Sequence, residues 1–128
     1  MNAVLVVDDD RTQQLIISKI LKRIGLNVII ASNGVEALEQ VYNNSPSLII
    51  LDLNIPGMNG TEVCEQLKAD EKTQKLPVVV YSGQEREFDN YWGKSKCADA
   101  YLSKVCHPQA LIDTVLKLLC FSACCCVG

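Results

Sequence analysis

The chain has 128 residues, the size of one domain, and its 48% hydrophobic and 21% charged residues give the balance of a chain that builds a packed core rather than a disordered or fibrous one. With 12 Lys and Arg against 15 Asp and Glu the net charge is -3, so the basic footprint that phosphate backbones or anionic lipid require is missing and nucleic acid is not an expected partner. Apolar runs such as Ala3 to Val7 and Leu48 to Leu51 fall far short of the ~20 residues that span a bilayer, and no basic leader precedes them, so no membrane span and a cytoplasmic location are expected.

In chain order, short apolar runs at residues 3–7, 28–31, 48–51, 78–81 and 100–102 read as five strands. The stretches between them carry helical spacing: Ile16, Ile20 and Ile24 in the first, Val35, Leu38 and Val41 in the second, and Leu111, Ile112, Val115, Leu118 and Leu119 in the last. Five strand-then-helix units, with continuous apolar runs rather than strict alternation, predict an α/β fold: a doubly wound five-stranded parallel sheet with five helices. Local signals mark the helix ends. Asn33 with Glu36 three residues on is an Asx form of the capping box, Gly25 can close the first helix in the left-handed region, and Pro108 suits a first helical turn. Residues 1–120 form one predicted domain and 121–128 a Cys-rich tail.

In such a sheet ligands bind beyond the carboxyl ends of the strands. The first predicted strand runs into Asp8, Asp9 and Asp10, the third ends at Asp52, the fourth at Ser82, and the fifth is followed by Lys104. Acids from two strands brought to one edge repel unless a cation holds them, and oxygen donors without His or Cys favour a hard divalent ion, Mg²⁺ or Mn²⁺, which keeps open positions for phosphate oxygens. Phosphoryl chemistry is the natural reading.

The segments Val7-Asp8-Asp9-Asp10, Leu51 to Gly60, Tyr81-Ser82-Gly83 and Tyr101-Leu102-Ser103-Lys104 resemble, in order and spacing, the marker segments of CheY-like response regulator receiver domains over residues 3–120. The resemblance implies strand order 2-1-3-4-5 and a single-domain response regulator of a two-component phosphorelay. Asp52 is then the phosphoacceptor, taking a phosphoryl group from a sensor histidine kinase or phosphotransfer protein and catalysing its own phosphorylation and dephosphorylation. Asp9 and Asp52 ligate Mg²⁺ directly, Asn54 through its backbone carbonyl and Asp8 through water; Lys104 and Ser82 contact the phosphoryl oxygens. Ser82 and Tyr101 form the switch, Asn54 and Gln84 tune dephosphorylation, and the output surface is the fourth helix, fifth strand and fifth helix, presented to a downstream target by a monomer or a phosphorylation-dependent dimer. Asp10 is read as a solvated residue or first-helix cap. The alternative is a receiver-like interaction module that works without phosphorylation; a true aspartyl hydrolase is disfavoured, because the second acid after Asp52 and the cap domain that such an enzyme uses are not expected here.

Departures from the family pattern are visible. Val105 replaces the usual proline after Lys104, Cys97 stands where glycine is common, and His107 takes the place of an acidic helix cap, read here as a satisfied surface residue. Tyr91-Trp92-Gly93 resembles a subset of receivers linked to type IV pilus motility and cyanobacterial pathways. Cys64, Cys97 and Cys106 read as small buried hydrophobes. Cys120, Cys124, Cys125 and Cys126 have no family counterpart: a loose helix extension, thiolate metal ligation, lipidation and intermolecular disulfides are the alternatives for them.

Overall fold

Continuous apolar runs of this kind have both strand faces to bury, and the chain buries them by alternation. In the computed structural model, which describes residues 3–52, 55, 60–82, 98–103 and 107–123 with side chains except at 61, 82 and 120–123, β1 (Ala3–Val7), β2 (Asn27–Ala31), β3 (Leu48–Leu51), β4 (Val78–Ser82) and β5 (Ala100–Ser103) form one sheet in order β2-β1-β3-β4-β5. Every neighbouring pair is parallel. The helices among the described residues are α1 (Arg11–Arg23), α2 (Gly34–Asn44), α3 (Gly60–Ala69) and α4 (Pro108–Ala123). α4 is the last of the five helices predicted; the fourth, with Tyr91 and Trp92, falls at residues outside the described set. None of the described helices is long and apolar enough to cross a membrane.

The period of two along each strand divides the core. Leu5, Val7, Ile49, Leu51, Val78 and Val80 face one way, packing on Ala37 and Val41 of α2 and on Val63, Cys64 and Leu67 of α3. Val4, Val6, Leu48, Ile50, Val79 and Tyr81 face the other, against Ile17 and Leu21 of α1 and Leu111, Val115 and Leu119 of α4. Each fully buried aliphatic side chain of this kind contributes about 1.5–3 kcal/mol of transfer free energy, which fixes the register on both faces at once.

Helix ends follow the local signals. The Asp10 carboxylate accepts from the Thr12 amide at 2.9 Å and caps α1. Gly25, at φ 85°, stands just past the α1 C-cap Ile24 and takes the left-handed turn that a side chain would resist. Asn33 caps α2 by accepting from the Glu36 amide at 2.8 Å, but the Glu36 carboxylate reaches the Ser32 amide at 3.2 Å, one residue before the cap, instead of the cap's own amide.

Two helix faces differ from the sequence reading. Ile20 and Ile24 of the predicted 16-20-24 stripe pack on the core, but Ile16 is 45% exposed, and the deep face of α1 is Gln14, Ile17, Ser18 and Leu21. A helix with apolar residues over more than half its circumference lets the sheet choose the face, and here that face includes two polar residues. In α2, Leu38 and Val41 of the predicted stripe pack on the core together with Ala37, while Val35 is exposed. Cys64 is fully buried as predicted, but it is disulfide-bonded rather than a free thiol.

Candidate functional site

β1 and β3 are adjacent and parallel, with Val7 opposite Leu51, so the residues that follow them leave the sheet side by side. The ladder continues one step past each strand: the Asp8 amide donates to the Ala31 carbonyl at 3.1 Å and the Asp52 amide to the Val7 carbonyl at 3.0 Å. Both acids are thereby fixed before their side chains make any contact, and both are almost fully buried while Asp9 is exposed. Carboxylate oxygens of Asp8, Asp9 and Asp52 lie within 4.8 Å of one another. At that separation each pair of ionised carboxylates carries a gross repulsion of about 3–4 kcal/mol at an effective dielectric of about 20. A divalent cation reverses its sign. The donors are hard oxygens, and no His or Cys joins the group among the described residues, so the set fits Mg²⁺ or Mn²⁺ and not a soft metal.

The loop that carries these acids is held from below. Asp8 Oδ1 accepts from the Asp10 amide at 2.9 Å, which folds the chain back toward α1. From one turn into that helix, the Gln14 amide nitrogen donates to the Asp8 carbonyl at 2.5 Å and to Ser32 Oγ at 3.2 Å. Ser32 is in turn held by Glu36 of α2. Sequence reasoning missed Gln14 and Ser32. The available signal was a glutamine six residues after Asp8 in the first turns of the helix, where a buried and unpaired amide costs about 1–3 kcal/mol and therefore needs partners.

Among the other predicted site residues, Ser82 ends β4 at the same edge of the sheet, opposite Ser103 in register. Tyr101 lies on β5 opposite Val80, half-buried and packed on the core face that carries α2 and α3. Asn54, Gln84, Lys104 and Val105 lie outside the described residues, as does the side chain of Ser82. His107 is exposed, and its Nδ1 accepts from the Gln109 amide at 3.1 Å, so it supplies a cap at the start of α4 where an acid was the family expectation. A shallow cavity of about 560 Å³ lined by Tyr42, Gln66, Ala69, Asp70, Glu71 and Lys72 sits at the ends of α2 and α3, across the sheet from the acids. It holds none of the predicted site residues.

The model of the response regulator receiver domain matches residues 4–116. The chain belongs to the response regulator receiver family. It is 30% identical to protein PilH of Pseudomonas aeruginosa over 93% of this chain and 98% of that one. Other curated relatives are longer, and the receiver spans about half their length. Among solved structures, a response regulator from Chloroflexus aurantiacus superposes with a TM-score of 0.84 at 31% identity, covering 92% of this chain and 97% of that one. Response regulator protein TrrA of Thermotoga maritima, solved in complex with Mg²⁺ and BeF, gives a TM-score of 0.82 at 28% identity, covering 92% of this chain and 99% of that one. Receiver domains take phosphoryl groups from histidine kinases, bind Mg²⁺ at an acidic pocket and act on downstream targets. In this receiver the Asp8, Asp9 and Asp52 cluster stands at the carboxyl ends of β1 and β3.

Proposed function

We propose that this receiver is a cytoplasmic single-domain response regulator, phosphorylated on Asp52 with Mg²⁺ and signalling through phosphorylation-dependent binding to a protein target. The observation that carries the reading is the convergence of three carboxylates at the ends of β1 and β3, with Asp52 held by the sheet itself. The Asp52 carboxylate attacks the phosphorus of a phosphohistidine on the kinase or phosphotransfer protein; the new O–P bond forms as the P–N bond breaks, leaving an acyl phosphate on Asp52 and a free imidazole on the donor. A rigid backbone behind the nucleophile keeps it in line at little entropic cost. Mg²⁺, when bound, offsets the negative charge that gathers on the phosphoryl oxygens. Asp9 and Asp52 would hold it directly, with the Asn54 carbonyl, and Asp8 would reach it through water.

Lys104 and Ser82 contact the phosphoryl oxygens left uncovered. The Ser82 hydroxyl moves inward on phosphorylation and Tyr101, half-buried on the neighbouring strand β5, follows. Asn54 and Gln84 flank the route of the attacking water and set the lifetime of the acyl phosphate, on a scale of minutes. The output surface includes β5 and α4, where Leu116 is 44% exposed and gives a partner an apolar contact.

Intact-protein mass after mixing with acetyl phosphate and Mg²⁺ tests the reading. One phosphoryl adduct is expected in the wild type and none in Asp52→Asn or without metal. Absence of an adduct, together with no response to beryllofluoride, assigns the chain instead to phosphorylation-independent protein binding.

A further inference from the structure

Gln14 stands at the junction of three segments: the acidic loop after β1, the first turn of α1's buried face and the turn between β2 and α2. A carbonyl oxygen only accepts, so the amide nitrogen of Gln14 faces the Asp8 carbonyl, 2.5 Å away, with its second proton directed at Ser32 Oγ at 3.2 Å. The side chain is 9% exposed. The backbone of Asp8 is thus held on both sides, its amide by the Ala31 carbonyl and its carbonyl by Gln14, while its carboxylate receives the Asp10 amide. The peptide that Gln14 grips is the one joining Asp8 to Asp9. Its orientation decides where the Asp9 carboxylate points, and Asp9 is the exposed member of the cluster with the least packing of its own.

We infer that Gln14 is a positioning residue of the acidic site: clamped by Ser32, it fixes the Asp8–Asp9 peptide so that the three carboxylates stay converged while no cation is bound. The inference rests on the Mg²⁺ site of the proposed function and adds a residue to it. Without the clamp the mutual repulsion of the acids is free to rotate that peptide, and each cation must first pull the loop back. Two donors on one buried amide, both spent on loops that flank the site, are more than helix packing needs. An apolar side chain of similar length, such as Met, fills the same space on α1's buried face.

Calorimetric titration of the whole chain with Mg²⁺ alone, paired with thermal melting in the absence of metal, reads the two effects separately. Gln14→Met is expected to weaken Mg²⁺ binding by about tenfold or more, the scale at which groups that orient ligands act. Ile17→Val, a packing change one turn along the same buried face, is expected to lower the melting temperature and leave Mg²⁺ affinity within about twofold. Ser32→Ala gives a smaller loss in the same direction, and Gln14→Met with Ser32→Ala together bind no more weakly than Gln14→Met alone, because the serine acts only through the amide. If Gln14→Met binds Mg²⁺ as the wild type does, or if its loss is matched by Ile17→Val at equal loss of stability, the role of Gln14 is overturned. Should Gln14→Met fail to fold, unchanged Mg²⁺ affinity in Ser32→Ala overturns it equally. A wild type that takes no Mg²⁺ overturns the cation site itself and the role of Gln14 with it.

Discussion

At the amino edge of the sheet, Asp99 accepts from the Val78 amide at 2.7 Å and from the Lys68 ammonium at 3.3 Å, and Asp70 accepts from the Tyr42 hydroxyl at 2.6 Å and the Lys72 amide at 2.9 Å. At the carboxyl edge, Asp8, Asp9 and Asp52 bring carboxylate oxygens within 4.8 Å of one another. The first pair of acids joins elements: Asp99 ties the start of β5 to β4 and α3, and Asp70 ties the end of α3 to α2. The second group faces inward on itself across two adjacent strands. Asp99 and Asp70 each meet donors from another element, whereas Asp8, Asp9 and Asp52 bring their carboxylates together. The same residue type, at opposite edges of the same sheet, therefore carries opposite expectations for stability.

That contrast breaks first at Asp9. Asp9→Asn is expected to weaken Mg²⁺ binding by more than about a hundredfold, since it removes a ligand rather than a group behind one. The same change removes one repelling charge, so metal-free stability should rise by up to about 1 kcal/mol, as judged by urea unfolding in chelator. A fall in metal-free stability would mean that Asp9 is held by donors as Asp99 is. The converse change, Asp99→Ala, leaves the Val78 amide and Lys68 without their shared acceptor. It should cost about 1–2 kcal/mol in the same unfolding experiment and leave Mg²⁺ affinity untouched. Mg²⁺ at about 100 times the wild-type dissociation constant should add about 2.7 kcal/mol to the wild type and to Asp99→Ala alike, and less than about 0.4 kcal/mol to Asp9→Asn.

Most of the scaffold behind this contrast was legible in the residues. Runs such as Val4 to Val7 and Leu48 to Leu51 are apolar on both faces because the sheet is covered on both, and the acids that follow them are read directly as lying at the carboxyl edge. Asn33 and Gly25 announced their turns through backbone chemistry that depends on no distant contact. The face of α1 was legible in part: Ile20 and Ile24 pack on the core as their spacing implied, whereas Ile16 is exposed and the deepest positions include Gln14 and Ser18. The polar residue was the informative one, and its partners at Asp8 and Ser32 exist only once the loops are folded together. The disulfide at Cys64 was invisible for a similar reason, as pairing depends on which segments meet and not on spacing.

The smallest effect lies in the pair that joins α2 to α3 at the amino edge. The Asp70 carboxylate accepts the Tyr42 hydroxyl and so raises its pKa above the ordinary 10.0, while the hydroxyl, followed by the Lys72 amide, lowers that of Asp70 below the ordinary 3.8. The signs define a plateau. For Asp70, whose value falls on folding, the contribution is present above pH 3.8 and is lost as the pH drops through its lowered value. For Tyr42, whose value rises on folding, it is fully present below pH 10.0 and is lost as the pH climbs through the raised value. Both groups are exposed, so solvent screens the pair and the readout is the titration itself rather than the melting temperature. Ultraviolet absorbance of the phenolate, compared between the wild type and Asp70→Asn, should show one tyrosine ionising at lower pH in the variant, and Tyr42→Phe should remove that tyrosine from both curves. Identical curves in wild type and Asp70→Asn would mean that Asp70 and Tyr42 part in solution, and that the amino edge is held at Asp99 without the help of its neighbour.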